Sequence, residues 1–194
     1  MTTPADGAAM LERAIGYALG AVQGVSPEQH SNPTPCTAWN LRTLLDHLND
    51  SLDVLQQIID TRHLDGSAVP APHDDRPMTD PVAHFRRRAT HLLGSWSASA
   101  CRGRVTEIAC LPVPNEIVAC TGALEIAVHG WDVSRACGHH RPIPAALATD
   151  MLRVAPILVT EVTRRPLFAA PAPVPRRADP GDRLLAFLGR RPDA

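Results

Sequence analysis

Residues 115–137 read NEIVACTGALEIAVHGWDVSRAC. They follow a short segment closed by Pro112 and Pro114 and precede Gly138, a residue suited to the left-handed position just past a helix end. The spacing predicts one helix from about 115 to about 137. It carries Glu125 and His129, four positions apart, so both side chains leave the same face one turn from each other. Two ligands at i and i+4 can chelate one ion, as the histidines of H-E-x-x-H do, with a carboxylate here in place of one imidazole. The same spacing also describes an ordinary surface hydrogen bond, and the residues alone leave both readings open.

A second periodic stretch bears on the choice. From about 38 to about 59, Leu41, Leu44, Leu45, Leu48, Leu52, Leu55 and Ile59 form an apolar stripe at helical spacing, with Thr37 as the expected N-cap. His47 lies at the margin of that stripe. A polar group facing a bundle interior needs a partner, since leaving it unsatisfied costs about 1–3 kcal/mol. A metal ion would satisfy it; so would a backbone carbonyl.

Three further helices follow from the same reasoning. Met10, Leu11, Ala14, Ile15, Ala18, Leu19 and Val22 mark a helix over 10–22 that ends before Gly24 and Pro27. Asp80 and Pro81 supply a cap and a first-turn proline for a helix that turns Val82, Phe85, Ala89, Leu92, Leu93 and Trp96 inward. A helix from Pro144 is expected to bury Leu147, Met151, Val154, Leu158 and Val162, with Pro156 kinking or breaking it.

Between these lie a loop containing Pro33 and Pro35, a polar loop over 61–79, and an extended connection over 104–113. Residues 166–180 hold five prolines in fifteen positions and read as a strap, followed by a short helix over 182–188 that stops at Gly189. The expected fold is all-α: a four-helix bundle with a Pro-rich strap and a short C-terminal helix. With 194 residues and 44% hydrophobic residues, one domain over 1–194 is the expectation.

Composition narrows the function. The formal charge is −1, so there is no global basic field to draw the chain onto phosphate backbones, and nucleic acid is not an expected partner. All 19 basic residues are arginine, which removes Schiff-base chemistry and Walker-type phosphate loops, both of which need a lysine. Neither G-x-G-x-x-G after a strand nor G-x-S-x-G occurs. The 5 cysteines, Cys36, Cys101, Cys110, Cys120 and Cys137, form no C-x-x-C pair, which fits a reducing cytoplasm better than a disulfide framework. No export signal or membrane-spanning run is read, so a cytoplasmic location is expected.

Four blocks carry a resemblance. Pro33-Thr34-Pro35-Cys36-Thr37-Ala38-Trp39, Leu44-Leu45-Asp46-His47-Leu48, Leu124-Glu125-Ile126-Ala127-Val128-His129-Gly130-Trp131-Asp132 and Arg183-Leu184-Leu185-Ala186-Phe187-Leu188-Gly189-Arg190 occur in this order across nearly the whole chain. Together they resemble the DinB-like metal-binding superfamily, in the actinobacterial branch related to mycothiol-dependent maleylpyruvate isomerase. The resemblance implies a four-helix bundle of the DinB and YfiT type and one divalent metal held by His47, Glu125 and His129. Three protein ligands leave a coordination position open, as in catalytic sites. Two histidines and a carboxylate suit zinc first, then iron, nickel or manganese. The isomerase continues into a second, smaller domain, whereas this chain ends at Ala194, so substrate groups from such a domain are not expected here.

Three functional readings follow. The leading one is a metal-dependent thiol transferase or isomerase in which a mycothiol-type thiol, as cosubstrate, attacks a small electrophile. A second is a hydrolase, lyase or cyclase of specialised metabolism that uses water activated by the metal. A third is a non-catalytic protein whose ion is structural or sensory. The expected partners are small molecules, without nucleic acid or membrane, acting on a monomer or homodimer. Around the site, Asp132 either orients a ligand from behind the metal or forms a surface ion pair with Arg135 or Arg164. Trp39 and Trp131 read as core, Cys36 as a small buried residue in a turn or a thiol near the metal, Arg86-Arg87-Arg88 as a solvated face, and His139-His140 as exposed.

Overall fold

The computed structural model describes residues 6–37, 39–65, 80–98, 105–164 and 168–192. Four long helices form the bundle: α1 (Gly7–Val22), α2 (Leu41–Thr61), α3 (Pro81–Ala98) and α4 (Asn115–Ala136). Helix α4 runs along α1 and also meets α2, which packs in turn against α3. Nearly all of α4 is buried, and its small residues let neighbours approach: at Gly130 an added Cβ would lie 3.2 Å from the Ala18 backbone. After the bundle come α5 (Ala145–Leu158), α6 (Glu161–Arg164) and α7 (Pro180–Phe187), with α7 packed on α5. This is the mainly α, DinB-like architecture expected.

Several boundaries moved for identifiable reasons. Helix α1 starts three residues earlier than its apolar spacing suggested, because the Asp6 carboxylate accepts from Ala9 N at 3.2 Å and caps it. Helix α2 is capped by Asn40, not Thr37: Asn40 Oδ1 accepts from Thr43 N at 2.9 Å. The expected start at Ala38 lies outside the described residues. The preceding loop is held otherwise, with the Thr34 hydroxyl donating to the carbonyls of Cys36 and Trp39 and with Pro33 bridged to Asn40. At the far end of α2, Ile58 is the buried residue and Ile59 is only partly covered.

The expected inward position of Val162 is wrong; it is 89% exposed. Helix α5 stops at Leu158, two residues after Pro156, and Thr160 and Thr163 cap each other to open α6 in a new register. Ala155 and Val159 take the buried positions instead.

The extended connection proves to be a hairpin. Strands β2 (Val105–Ile108) and β3 (Leu111–Pro114) pair antiparallel, and β1 (His63–Leu64) joins β2 in parallel. Its two-residue turn places Ala109 and Cys110 at φ 48° and 64°, a conformation usually announced by Asn-Gly, which explains why the sequence did not signal it. Thr106 Oγ1 donates to Asn115 Oδ1 at 2.7 Å and ties the hairpin to the start of α4. Arg104, Cys101, the loop at 66–79 and strap residues 166–167 lie outside the described residues. The rest of the strap is irregular, held to α7 by Ala172 N donating to Ala186 O at 2.8 Å.

Candidate metal centre

The two stretches that decide the bundle also build the site. Leu44, Leu45 and Leu48 are fully buried and fix the rotation of α2, so His47 is left at the edge facing α4. Ile126, Ala127 and Val128 seat α4 in the core and turn Glu125 and His129 toward α2. His47 Nε2 lies 2.5 Å and His129 Nε2 3.2 Å from the same Glu125 oxygen, Oε1. One ligand atom from each of the three residues lies within 4.8 Å of the others. Two imidazole nitrogens and a carboxylate oxygen converging from two helices form a donor set that fits a divalent ion.

Electrostatics favour this arrangement in the metal-free chain too. Burial alone would raise the Glu125 carboxyl, but the His129 charge and hydrogen bonds with both imidazoles hold it well below the usual carboxylate range. Burial would likewise lower His129, and the Glu125 charge with hydrogen bonds to Asp132 and Glu125 instead lifts it to about 9. In the metal-free fold the raised His129 imidazole therefore pairs as a cation with the Glu125 carboxylate, Nε2 to Oε1 at 3.2 Å.

Asp132 stands behind His129. His129 Nδ1 donates to Asp132 Oδ2 at 2.9 Å, which leaves Nε2 to face Glu125 and His47. The alternative surface pair with Arg135 or Arg164 is corrected: Asp132 is 0% exposed and its ion-pair partner is Arg190, with Nη2 at 2.9 Å. Arg190 belongs to the last of the four sequence blocks, and no local spacing links it to Asp132, 58 residues away.

Above the three residues lies a cavity of about 210 Å³. Leu124, Val128, Leu158 and Phe168 give it an apolar wall, and Arg190 reaches it from the C-terminal tail. Trp39 is corrected from core to wall: its ring is half-buried, with its centroid 4.5 Å from that of His47 and 5.7 Å from that of His129. Cys36 lines the same cavity, so of its two readings the placement near the site is the one observed. Trp131 is core as expected. Arg86 and Arg87 are exposed, as are His139 and His140, while Arg88 is partly covered and pairs with Asp53 at 2.7 Å.

Known proteins resemble this chain along most of its length. The sequence model described as the mycothiol maleylpyruvate isomerase N-terminal domain matches residues 11–134, a span that includes His47, Glu125, His129 and Asp132. Two uncharacterized proteins of Mycobacterium tuberculosis, from strains CDC 1551 / Oshkosh and ATCC 25618 / H37Rv, are each 27% identical over 184 residues, covering 92% of this chain and 94% of the relative. No solved structure gives a significant match.

Proposed function

The chain belongs to the family of the mycothiol maleylpyruvate isomerase N-terminal domain, and on that premise we propose that it is a metal-dependent enzyme acting with a mycothiol-type thiol on a small electrophile. The observation that carries this reading is the convergence of His47, Glu125 and His129 at the floor of an apolar cavity. Those three residues would hold the ion, zinc being the best match to the donors.

Each neighbouring residue has a task in this scheme. Once a metal displaces the His129 proton, Glu125 and Asp132 against Arg190 leave one net negative charge around the floor. A divalent cation there would leave a demand for one further anion and would favour the deprotonated, nucleophilic form of a bound thiol near neutral pH. Asp132 keeps the His129 tautomer that presents Nε2. Trp39, Val128, Leu158 and Phe168 exclude water around the reacting atoms, which strengthens charge interactions within. The Thr121, Thr163 and Cys36 side chains add polar atoms to the lining.

The partners in this reading are small molecules, on a cytoplasmic monomer or homodimer. Among the described residues, no helix is long and apolar enough to cross a membrane.

Metal analysis of the purified protein, combined with a thermal-shift panel of thiols, tests the proposal. A ligand that binds only the native state raises its apparent stability. A thiol that raises Tm in the metal-loaded form and not in the chelated form is the expected result. Stoichiometric metal with no response to any thiol would remove the thiol chemistry and keep the site.

A further inference from the structure

We infer that Arg190 is a positioning residue for the metal centre: through Asp132 it fixes the His129 imidazole, so that the C-terminal tail clasps the site. The inference rests on the three-residue metal reading and extends it to a part of the chain 58 residues away from Asp132 in sequence.

The contacts form a continuous chain. Arg190 is 8% exposed and grips the fully buried Asp132 through two donors, Nη2 to Oδ2 at 2.9 Å and Nε to Oδ1 at 3.4 Å. Asp132 Oδ2 also accepts from His129 Nδ1 at 2.9 Å. A carboxylate with one hydrogen bond can still swing about its own axis; one held by a planar fork cannot without breaking two bonds. The fork therefore fixes the plane of the acceptor that sets the direction of the imidazole, and with it the direction of Nε2. Partners behind a ligating histidine are worth about 10–100-fold in metal affinity.

The tail is shaped to deliver that guanidinium. Helix α7 ends in two backbone bonds, Gly189 N to Ala186 O at 3.0 Å and Arg190 N to Leu185 O at 2.9 Å. This is a Schellman cap, with Gly189 at φ +82° in the left-handed position. An added Cβ at Gly189 would lie 2.7 Å from Ala169 Cβ and 2.9 Å from its carbonyl oxygen. The residue after the left-handed glycine usually packs an apolar side chain back on the helix. Here that position is Arg190, and its side chain turns inward to Asp132, with Nη1 also donating to Leu188 O at 3.3 Å. The strap encloses the same turn: Ala169 lies against Gly189, and the neighbouring Phe168 lines the cavity.

The experiment uses the full chain, with zinc affinity measured by competition against a chromogenic chelator. Arg190→Gln is expected to bind zinc about 10–100-fold more weakly than the parent while its metal-free circular dichroism stays native. In an Asp132→Asn background the same substitution is expected to change affinity by less than about threefold, because its route to the metal is already cut. Arg190→Lys keeps the charge without the fork and serves if Arg190→Gln does not fold. It is expected to weaken binding about tenfold and to shift the visible absorption of the cobalt-loaded protein. Coupling is reciprocal, so saturating zinc is also expected to slow tryptic cleavage after Arg190. Parent-like zinc affinity in folded Arg190→Gln or Arg190→Lys, or equal losses with and without Asp132, would overturn the clasp alone. A parent chain that binds no divalent ion would overturn the metal reading and the clasp together.

Discussion

His47, Glu125 and His129 share one small volume, so their substitutions are not expected to be independent. Replacing any one with alanine should remove most of the bound metal. Once His47 is gone, adding Glu125→Ala or His129→Ala should cost much less than it does in the parent, as for residues acting as a unit. Metal titration of single and double variants measures this, and full stoichiometric binding by His47→Ala would exclude the three-residue site. The same residues set a pH dependence. His129 is raised from 6.5 to about 9 in the metal-free fold, so the stability it contributes is complete below about pH 6.5 and is lost as pH climbs through about 9. Glu125 is held low, so its contribution is present above its usual 4.5 and fades only as pH falls toward its depressed value. Metal-free urea midpoints should therefore decline between about pH 6.5 and 9, and His129→Gln should flatten that decline. A metal must displace the His129 proton, so zinc affinity should rise over the same window, by up to about tenfold per pH unit. A flat affinity profile would contradict the raised His129.

Between elements, the close contact of α1 with α4 gives two glycines on one helix opposite roles. At Gly7 an added Cβ would lie 2.7 Å from the Glu116 carbonyl oxygen of α4, a backbone atom that cannot turn away. At Gly16, exposed on the other side of α1, nothing lies within 4 Å. Gly16→Ala should thus stabilise the chain by about 0.5–1 kcal/mol through helix propensity. Gly7→Ala should destabilise it by about 1–3 kcal/mol, because the helix must move aside. Chemical denaturation of the two variants separates them, and equal effects would mean that α1 and α4 are not packed this closely. The same scale explains the failed expectations. Apolar spacing locates a helix and not its ends, which are set by whichever side chain reaches the free N–H groups: Asn40 rather than Thr37 on α2, Asp6 on α1. After Pro156 the thread of periodicity is cut, and Val162 belongs to a different helix from the one that predicted its burial.

For the whole molecule, a net charge of −1 with 19 basic and 20 acidic residues gives no long-range attraction for phosphate backbones. Double-stranded DNA should not bind at physiological salt, and sub-micromolar, salt-sensitive binding in a mobility-shift assay would refute this. Burial in the molecule is centred on α4, whose residues are covered by α1, α2 and the tail. The site thus lies where the bundle meets the C-terminal segments: its donors come from α2 and α4, its wall from the loop before α2, from α5 and from the strap.

The sequence by itself determined the bundle, because four stretches repeat apolar residues at the period of a helix, and it put Glu125 and His129 on one face by their spacing alone. It also picked out His47, as a polar residue beside an apolar stripe, and named Asp132 as a neighbour three positions from His129. Tertiary structure decided the rest. That His47 meets Glu125 depends on the rotation of α2 against α4, 78 residues apart. That Asp132 is buried, that Trp39 and Cys36 face a cavity, and that Arg190 closes the group from behind depend on a loop and a tail with no periodicity to read. Local spacing fixes which side chains share a face; only packing fixes which faces meet, since the free energy that brings distant segments together comes from the summed burial of all of them and is written in no single stretch.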